Sequence, residues 1–240
     1  MRYIWAAATH QGMARANNED SVFPETSGES SGPAILMVAD GMGGHIAGEV
    51  ASRLAVNTAA SSDLPPADRV AAANRSIREQ VARQPDLEGM ATTLTLVELT
   101  PDGKAHFGHI GDSRAYLFRA GKLRQLTADH TVVAQYVAAG TLSPEEAADH
   151  PHSHMLTRCL GLTRFVNVDE IELPLDPGDR LLLCSDGLTL MVTDDEIAAN
   201  LATESADETV WALIEEANQA GGQDNITVII ADVLAGANDT

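Results

Sequence analysis

The chain has 240 residues, of which 44% are hydrophobic, and it carries a formal net charge of −20 at pH 7. This length and composition fit one large globular domain with a sizeable core. The acidic balance repels nucleic-acid phosphates, and no Lys/Arg cluster in the sequence overcomes that repulsion. No apolar stretch approaches the roughly 20 residues that a transmembrane helix requires. Nucleic-acid binding and membrane insertion are therefore not expected.

The first third of the chain predicts a strand, a loop and two helices. Residues 1–10 are expected to form a strand, because their apolar stretch is shorter than a signal peptide usually needs. Residues 24–34, which are rich in Ser, Gly, Pro and Glu, are typical of a loop. Residues 47–60 and 67–83 predict helices, and Pro65-Pro66 predicts the break between them.

The middle of the chain predicts antiparallel hairpins. A strand over 94–99 and another over 104–110 flank Thr100-Pro101-Asp102-Gly103, in which Pro and Gly favour a tight turn. Ala120-Gly121 separates two further short apolar segments in the same way. Hairpins at this spacing indicate an antiparallel sheet and argue against a Rossmann-type fold.

The last third predicts helices with clear start signals, followed by a final strand. Ser143, Thr193 and Ser205 each precede a Glu by three residues, which is the spacing of a capping box. Trp211, in the last of these helices, is expected to pack in the core. Residues 225–233 predict the closing strand. Separate blocks of strands and helices favour the α+β class.

The two cysteines, Cys159 and Cys184, do not form a disulfide framework. Cys184 lies in an apolar run, where a free thiol behaves as a small hydrophobic side chain. A reducing cytoplasm is the expected compartment.

Four aspartates border predicted strands. Asp40, Asp112 and Asp186 each follow a short apolar run, and Asp224 precedes one. Side chains from distant parts of a chain can converge at strand ends, and clustered carboxylates repel one another unless a cation neutralises them. Mg²⁺ and Mn²⁺ take such oxygen ligands. An Asp after a strand is also typical of a turn, so the residues alone leave a metal site and a set of turns both open.

An ordered series of motifs resembles the metal-dependent Ser/Thr protein phosphatases of type 2C, in their bacterial form. Each motif is weak alone, but the ordered set is specific and spans about residues 10–230. In chain order the motifs are Arg15-Ala16-Asn17-Asn18-Glu19-Asp20, Asp40-Gly41-Met42-Gly43-Gly44-His45, Thr92-Thr93-Leu94, Gly111-Asp112-Ser113-Arg114, Leu126-Thr127-Ala128-Asp129-His130, Leu156-Thr157-Arg158, Ser185-Asp186-Gly187-Leu188 and Asp224-Asn225-Ile226-Thr227-Val228.

The resemblance implies one catalytic domain over residues 1–240, built as two packed antiparallel β-sheets flanked by α-helices. A flap at about 131–165 corresponds to the variable segment that the family associates with substrate choice. Within it, His150, His152 and His154 alternate, which indicates either a polar loop or a zinc site.

The resemblance also implies a centre of two Mn²⁺ or Mg²⁺ ions, whose bridging water attacks the phosphate. Asp40 would bridge both ions, and the carbonyl of Gly41 would join it on one of them. Asp186 and Asp224 would hold the other ion. Asp112 matches the position that bacterial relatives use for a weaker third ion.

Further positions match the family's phosphate and proton chemistry. Arg15 corresponds to the phosphate-binding arginine, whose forked donors suit a phosphate group. Glu19 and Asp20 match acidic positions that hold metal-bound waters. Eukaryotic members carry a histidine where this chain has Met42. His45, three residues further on, is the candidate general acid, or it orders the metal shell.

The function that the resemblance implies is the hydrolysis of phosphoserine and phosphothreonine in proteins, in opposition to a bacterial Ser/Thr kinase. Two alternatives are a pseudophosphatase, which would bind without turnover, and a metallophosphoesterase for small molecules. The full set of acidic motif residues, together with Arg15, argues against the first. A comparison of phosphopeptides with sugar and nucleotide monophosphates would decide on the second.

Overall fold

A computed structural model describes residues 1–43, 47–148, 150–203 and 205–236 of the chain. Within these ranges the strands are β1 (Arg2–His10), β2 (Asp20–Phe23), β3 (Gly28–Ser30), β4 (Ala34–Met42), β5 (Ala91–Thr92), β6 (Leu94–Leu99), β7 (Lys104–Ile110), β8 (Arg114–Arg119), β9 (Lys122–Gln125), β10 (Asp169–Pro174), β11 (Arg180–Cys184) and β12 (Ile226–Leu234). The helices are α1 (Ala47–Ala60), α2 (Pro66–Arg83), α3 (Val132–Ala138), α4 (Pro144–Ala148), α5 (Asp186–Thr189), α6 (Asp194–Leu201) and α7 (Ala206–Gln219), with a short 3₁₀ helix at Pro85–Leu87.

The strands form two antiparallel sheets. The first sheet has the order β3-β1-β12-β11-β8-β9, and the second has the order β10-β7-β6-β4-β2, with β5 paired to β4. Apolar side chains from both sheets fill the space between them. Helices α6 and α7 pack on the outer face of the first sheet, and α1 and α2 pack on the outer face of the second. The predicted α+β sandwich is therefore confirmed.

Strand β12 shows why a buried strand here is mostly apolar on both faces. It lies between β1 and β11 in the first sheet. Ile229 and Val233 face the second sheet, whereas Val228 and Ile230 face the helices. Because both faces are covered, the usual alternation of apolar and polar residues disappears.

Helix starts and hairpins follow the local signals in the sequence. The backbone N–H of Glu196 donates to the Thr193 hydroxyl, and the Thr193 N–H donates to the Glu196 carboxylate at 2.8 Å. The same reciprocal pair joins Ser205 and Glu208 at the start of α7. The predicted turns at 100–103 and 120–121 connect β6 to β7 and β8 to β9.

Two predictions on local structure are wrong. Trp211 is 57% exposed, because it lies on the solvent side of α7 while Val210, Leu213 and Ile214 face the sheet. The segment 24–34 is not only a loop, since it contains β3, which pairs with the edge of β1. Helix α3, inside the predicted flap, was not predicted at all.

Among the described residues, no helix combines the length and the hydrophobicity that crossing a bilayer requires.

Two alanine substitutions on α7 should differ sharply in their effect on stability. Leu213 is fully buried, so Leu213→Ala should lower the free energy of unfolding by about 2–5 kcal/mol. Trp211→Ala should change it by about 0.5 kcal/mol or less, because the indole is mostly in water. Urea unfolding of the two variants measures the difference. A larger loss for Trp211→Ala would contradict this placement of the helix.

Candidate active site

The structure brings most of the predicted site residues to one cleft of about 220 Å³, which is formed by strand ends of both sheets. Asp112 follows β7 of the second sheet, and Asp186 follows β11 of the first. Asp224 precedes β12. The residues lining the cleft include Arg15, Glu19, Asp40, Gly41, Met42, Gly43, Asp112, His154, Leu156, Asp186, Asp224 and Asn225.

Asp40 lies within β4 and not after it, which corrects the predicted strand end. The strand continues because Gly41 and Met42 pair with β5. The main chain of Asp40 is fixed on both sides: its N–H donates to the Thr93 hydroxyl at 2.9 Å, and its carbonyl accepts from the Thr92 hydroxyl at 2.8 Å. The paired threonines of the Thr92-Thr93-Leu94 motif therefore position the Asp40 backbone.

Gly41 allows a close approach between β4 and the start of α1. A Cβ atom on Gly41 would lie 2.2 Å from the carbonyl oxygen of Gly48 and 2.6 Å from that of Glu19. The Gly41 N–H donates to the same Glu19 oxygen at 3.2 Å. Any larger residue would push apart the elements that form this wall of the cleft.

Asp20 lies beneath the cleft and does not line it. It is 8% exposed, and its Oδ2 accepts hydrogen bonds from the hydroxyls of Ser185 at 2.7 Å and Thr227 at 2.6 Å. Its Oδ1 is buried without a hydrogen-bond partner. Burial raises the pKa of Asp20 to about 7; the two hydroxyl donors oppose this rise, and the charges of Asp186 and Asp224 add to it.

Arg15 reaches the cleft from the loop between β1 and β2. Its Nη2 donates to Oδ2 of Asp224 at 2.5 Å, and its side chain remains 54% exposed. This hydrogen bond is the main cause that raises the pKa of Arg15. A guanidinium has five N–H donors, so the contact with Asp224 leaves donors for a second anion.

Asn225 is a functional position that the sequence did not single out. Its Oδ1 accepts from the Glu19 N–H at 2.8 Å, and its Nδ2 donates to the carbonyls of Gln11 and Asn17 at 2.9 and 2.8 Å. One buried amide thus ties the loop that carries Arg15 to the start of β12. The Asp-Asn pair in the last motif was the available signal.

The two residues that follow Asp112, Ser113 and Arg114, fix this part of the chain through hydrogen bonds. The Ser113 hydroxyl contacts the Thr93 hydroxyl at 2.7 Å, which links the Asp112 motif to the backbone of Asp40. Arg114 donates to Asp129 through Nε at 3.0 Å and through Nη2 at 2.7 Å. These residues build the wall beside the carboxylate.

The electrostatics of the cleft are dominated by crowded carboxyl groups. Burial, followed by the charge of Asp186, raises the pKa of Asp112 to about 8. The pKa of Asp40 lies well above its usual range, first because of burial and then because of the charges of Asp20 and Asp186. Burial and the charge of Asp224 raise the pKa of Asp186, and burial raises that of Glu19. These four carboxyl groups thus resist ionisation unless positive charge compensates them.

The donor set fits hard divalent cations. Oδ1 of Asp186, like that of Asp20, is buried without a hydrogen-bond partner. Anionic oxygens that lack donors are the ligands that Mg²⁺ and Mn²⁺ prefer. Among the described side chains, no three His, Cys, Asp or Glu groups already converge closely enough to hold an ion. The fit therefore rests on the uncompensated charge and on the orphaned oxygens.

The histidines are distributed differently from the predicted alternating cluster. His154 lines the cleft beside Asp186. The rings of His150 and His152 instead lie edge to face, with their centroids 5.3 Å apart. Among the described residues, these three histidines do not come close enough together to hold a zinc ion. His45 lies outside the described residues.

A second cleft, of about 580 Å³, adjoins the first and shares Asp112, His154 and Asp186 with it. Its far wall belongs to the predicted flap, where α3 and α4 present small apolar side chains. These include Val133, Ala134, Val137, Ala138, Pro144 and Ala147.

Comparisons with known proteins agree on one family. The family model described as protein phosphatase 2C matches residues 9–227. The Ser/Thr protein phosphatase PstP of Mycobacterium tuberculosis is 43% identical, over 96% of this chain and 45% of PstP. The Ser/Thr phosphatase stp of Listeria welshimeri is 37% identical, over 93% of each chain. A crystal structure of the PstP catalytic domain in complex with two manganese ions superimposes with a TM-score of 0.87, at 40% identity, over 98% of this chain and 100% of that one.

The chain belongs to the protein phosphatase 2C family, and it shares the fold of the PstP catalytic domain. It spans less than half the length of PstP but nearly all of the Listeria protein.

The metal-free protein should be more stable at about pH 6 than at about pH 8. The folded-state pKa values of Asp20 and Asp112 are raised to about 7 and about 8. Between their ordinary values and these raised ones, the folded chain holds protons that the unfolded chain releases, so stability increases as the pH falls. Thermal unfolding in excess chelator at the two pH values measures this difference.

Saturating Mn²⁺ provides the control, because bound cations replace the protons and should flatten or reverse the pH dependence. A melting temperature that shows the same pH dependence with and without Mn²⁺ would contradict this electrostatic account.

Proposed function

We propose that this chain is a Mn²⁺- or Mg²⁺-dependent phosphatase that removes phosphate from phosphoserine and phosphothreonine in proteins. The observation that carries the proposal is the convergence of Arg15 with Asp40, Asp112, Asp186 and Asp224 in one cleft, in a chain of the type 2C family. Residues 1–240 would act as one catalytic domain.

The aspartates would hold two core ions. Asp40 would bridge them, with the Gly41 carbonyl on one ion, while Asp186 and Asp224 would hold the other. When bound, such ions lower the pKa of a coordinated water and neutralise the phosphoryl oxygens. The raised pKa values of Asp40 and Asp186 support this assignment, because positive charge there relieves their mutual repulsion.

Asp112 would serve a weaker third ion. Its motif is linked to the Asp40 backbone only indirectly, through the Thr93–Ser113 hydroxyl contact, whereas the charge of Asp186 acts directly on its carboxyl group. An additional cation beside two others is repelled by them, which would weaken its affinity.

Arg15 would bind the phosphate of the substrate. The arginine lines the cleft and is half exposed, so it can meet a ligand without a rearrangement of the core. Glu19 and Asp20 would both hold metal-bound waters, Glu19 from the wall of the cleft and Asp20 from beneath it. His45 as the general acid stays a prediction.

Protein substrates are favoured over small molecules by the second cleft. It continues from Asp112 and Asp186 along an apolar wall of α3 and α4, where the side chain of a residue next to the phosphoresidue could lie. The complete set of aspartates, together with Arg15, argues against a pseudophosphatase. The relatives named above are Ser/Thr phosphatases, which supports phosphoserine and phosphothreonine as substrates. A bacterial Ser/Thr kinase as the opposing partner and the cytoplasm as the compartment are further parts of this proposal.

Asparagine substitutions at Asp40 or Asp224 should affect activity differently from the same substitution at Asp112. Asp40→Asn or Asp224→Asn should lower kcat for p-nitrophenyl phosphate by about 100-fold or more, because a stabilisation of several kcal/mol is lost. Asp112→Asn should keep two tightly bound ions and lower activity through an altered Mn²⁺ dependence. Calorimetric titration with Mn²⁺ counts the ions, and a phosphatase assay measures the rates.

The matched control is wild-type protein in excess chelator, which should lose activity and regain it with Mn²⁺. Full activity in chelator would contradict metal dependence. Loss of both core ions in Asp112→Asn would contradict the third-ion role.

Arg15→Ala should raise KM for a phosphopeptide by about tenfold, as expected for the loss of one charge-assisted contact. A smaller fall in kcat should accompany it, because the guanidinium would bind phosphate before and during the reaction. Arg53→Ala, which removes an exposed arginine paired with Glu49 on α1, is the control. An unchanged KM in Arg15→Ala would remove Arg15 from the phosphate site.

A further inference from the structure

A groove of about 600 Å³ runs along α2, on the far side of one wall of the acidic cleft. One side of the groove is a face of the helix, which includes Arg75 and Arg78. The other side is the end of the segment 161–166, where Arg164, Phe165 and Val166 line the groove.

The buried amide of Asn74 builds this groove. Its Oδ1 accepts from the Gly161 N–H at 2.8 Å, and its Nδ2 donates to the carbonyl of Thr163 at 3.0 Å. Asn74 is 1% exposed, so its hydrogen bonds fix the segment to α2. The Arg78 guanidinium adds a longer contact to the Leu162 carbonyl at 3.4 Å.

The groove concentrates positive charge on a strongly acidic protein. Three arginines, Arg75, Arg78 and Arg164, line it beside a single carboxylate, Glu79, which pairs with Arg83. Most other basic side chains pair with a carboxylate. In the part of the chain that the structure describes, none of the three groove arginines has an ion-pair partner.

An exposed aromatic ring adjoins these charges. Phe165 is 81% exposed, and the Arg164 guanidinium lies 5.3 Å from the centre of its ring. An arginine cluster beside an exposed aromatic ring is typical of surfaces that recognise phosphorylated peptide segments.

Met90 lies between a residue of the cleft and a residue of the segment beside the groove. Gly43, which lines the cleft, lies against Met90: a Cβ on Gly43 would be 3.5 Å from the Met90 Cα. On the groove side, a Cβ on Gly161 would be 2.5 Å from the Met90 carbonyl oxygen. Leu160 also pairs with Thr92, whose hydroxyl donates to the carbonyl of Asp40. Met90 is fully buried, so a substrate segment that occupies both sites would run over the protein surface that covers it.

We propose that the groove of Arg75, Arg78 and Arg164 binds a second phosphorylated residue of the same protein substrate while the first is hydrolysed in the cleft. This inference rests on the proposed phosphatase activity. Three guanidinium groups suit a doubly charged phosphate ligand better than they suit a ligand with a single carboxylate. A surplus of arginine would also attract anionic substrates that the net charge of −20 otherwise repels.

The test uses the full chain with Mn²⁺ and three peptide types. One carries a single phosphothreonine, one adds a hydrolysis-resistant phosphonate analogue at varied spacing, and one has glutamate in place of the phosphonate. The best-spaced phosphonate peptide should have a KM about tenfold lower than the single-phosphate peptide, as expected for one charge-assisted contact. The double variant Arg75→Ala/Arg164→Ala should lose this advantage. Its kcat and KM for p-nitrophenyl phosphate should be unchanged.

Arg124→Ala, which removes an exposed arginine on β9, is the matched control and should keep the advantage. An equal advantage for the glutamate peptide would overturn phosphate as the occupant. The absence of any advantage, or its equal loss in Arg124→Ala, would overturn the groove. Failure to hydrolyse the single-phosphate peptide would instead overturn the proposed function, so the two failures are distinguishable.

Discussion

Asp20 belongs to the second sheet, and the two hydroxyls that bind its carboxylate, those of Ser185 and Thr227, belong to segments of the first. This carboxylate therefore joins the two halves of the sandwich directly beneath the acidic cleft. Its position also imposes a cost, because its charge is buried and lies close to the charges of Asp40 and Asp186. The hydrogen bonds of Asp20 that join the two sheets thus add to the excess of negative charge at the acidic cleft. A divalent cation would offset that excess, so the proposed metal binding would follow from how the two sheets meet.

Short hydroxyl side chains solve the problem of placing so many carboxylates together. Thr92 and Thr93 hold the main chain of Asp40, and Ser113 contacts Thr93 from the neighbouring motif. These hydroxyls act mostly on the backbone or on one another, so the carboxylates above them keep their oxygens for ligands. In water-excluded surroundings each such contact is strong, and together they give the rim a fixed geometry.

Much of this architecture could be predicted from the sequence because the signals were local. The capping boxes at Thr193 and Ser205 and the turns between β6 and β7 act within a few residues. The order of the motifs then supplied the two-sheet arrangement through family resemblance.

The remaining features depend on contacts between distant residues, which one sequence does not reveal. Asn225 gains its role only when β12 lies beside the loop that follows β1. The exposure of Trp211 follows from its angle around α7, whereas the prediction relied on the residue type alone. Asp40 lies inside its strand because β5, a two-residue strand from far along the chain, extends the pairing there.

The order of strands in the first sheet has a consequence for synthesis on the ribosome. Of the strands described here, β12 leaves the exit tunnel after all the others. It lies between β1 and β11 near the centre of that sheet, and Asp224 and Asn225 precede it. Until these residues emerge, β1 lacks its hydrogen-bonding neighbour on that side, and Arg15 lacks Asp224, the carboxylate with which it pairs. A nascent chain that ends before this region thus lacks the assembled acidic cleft, so the activity proposed above would appear only once the region has been translated.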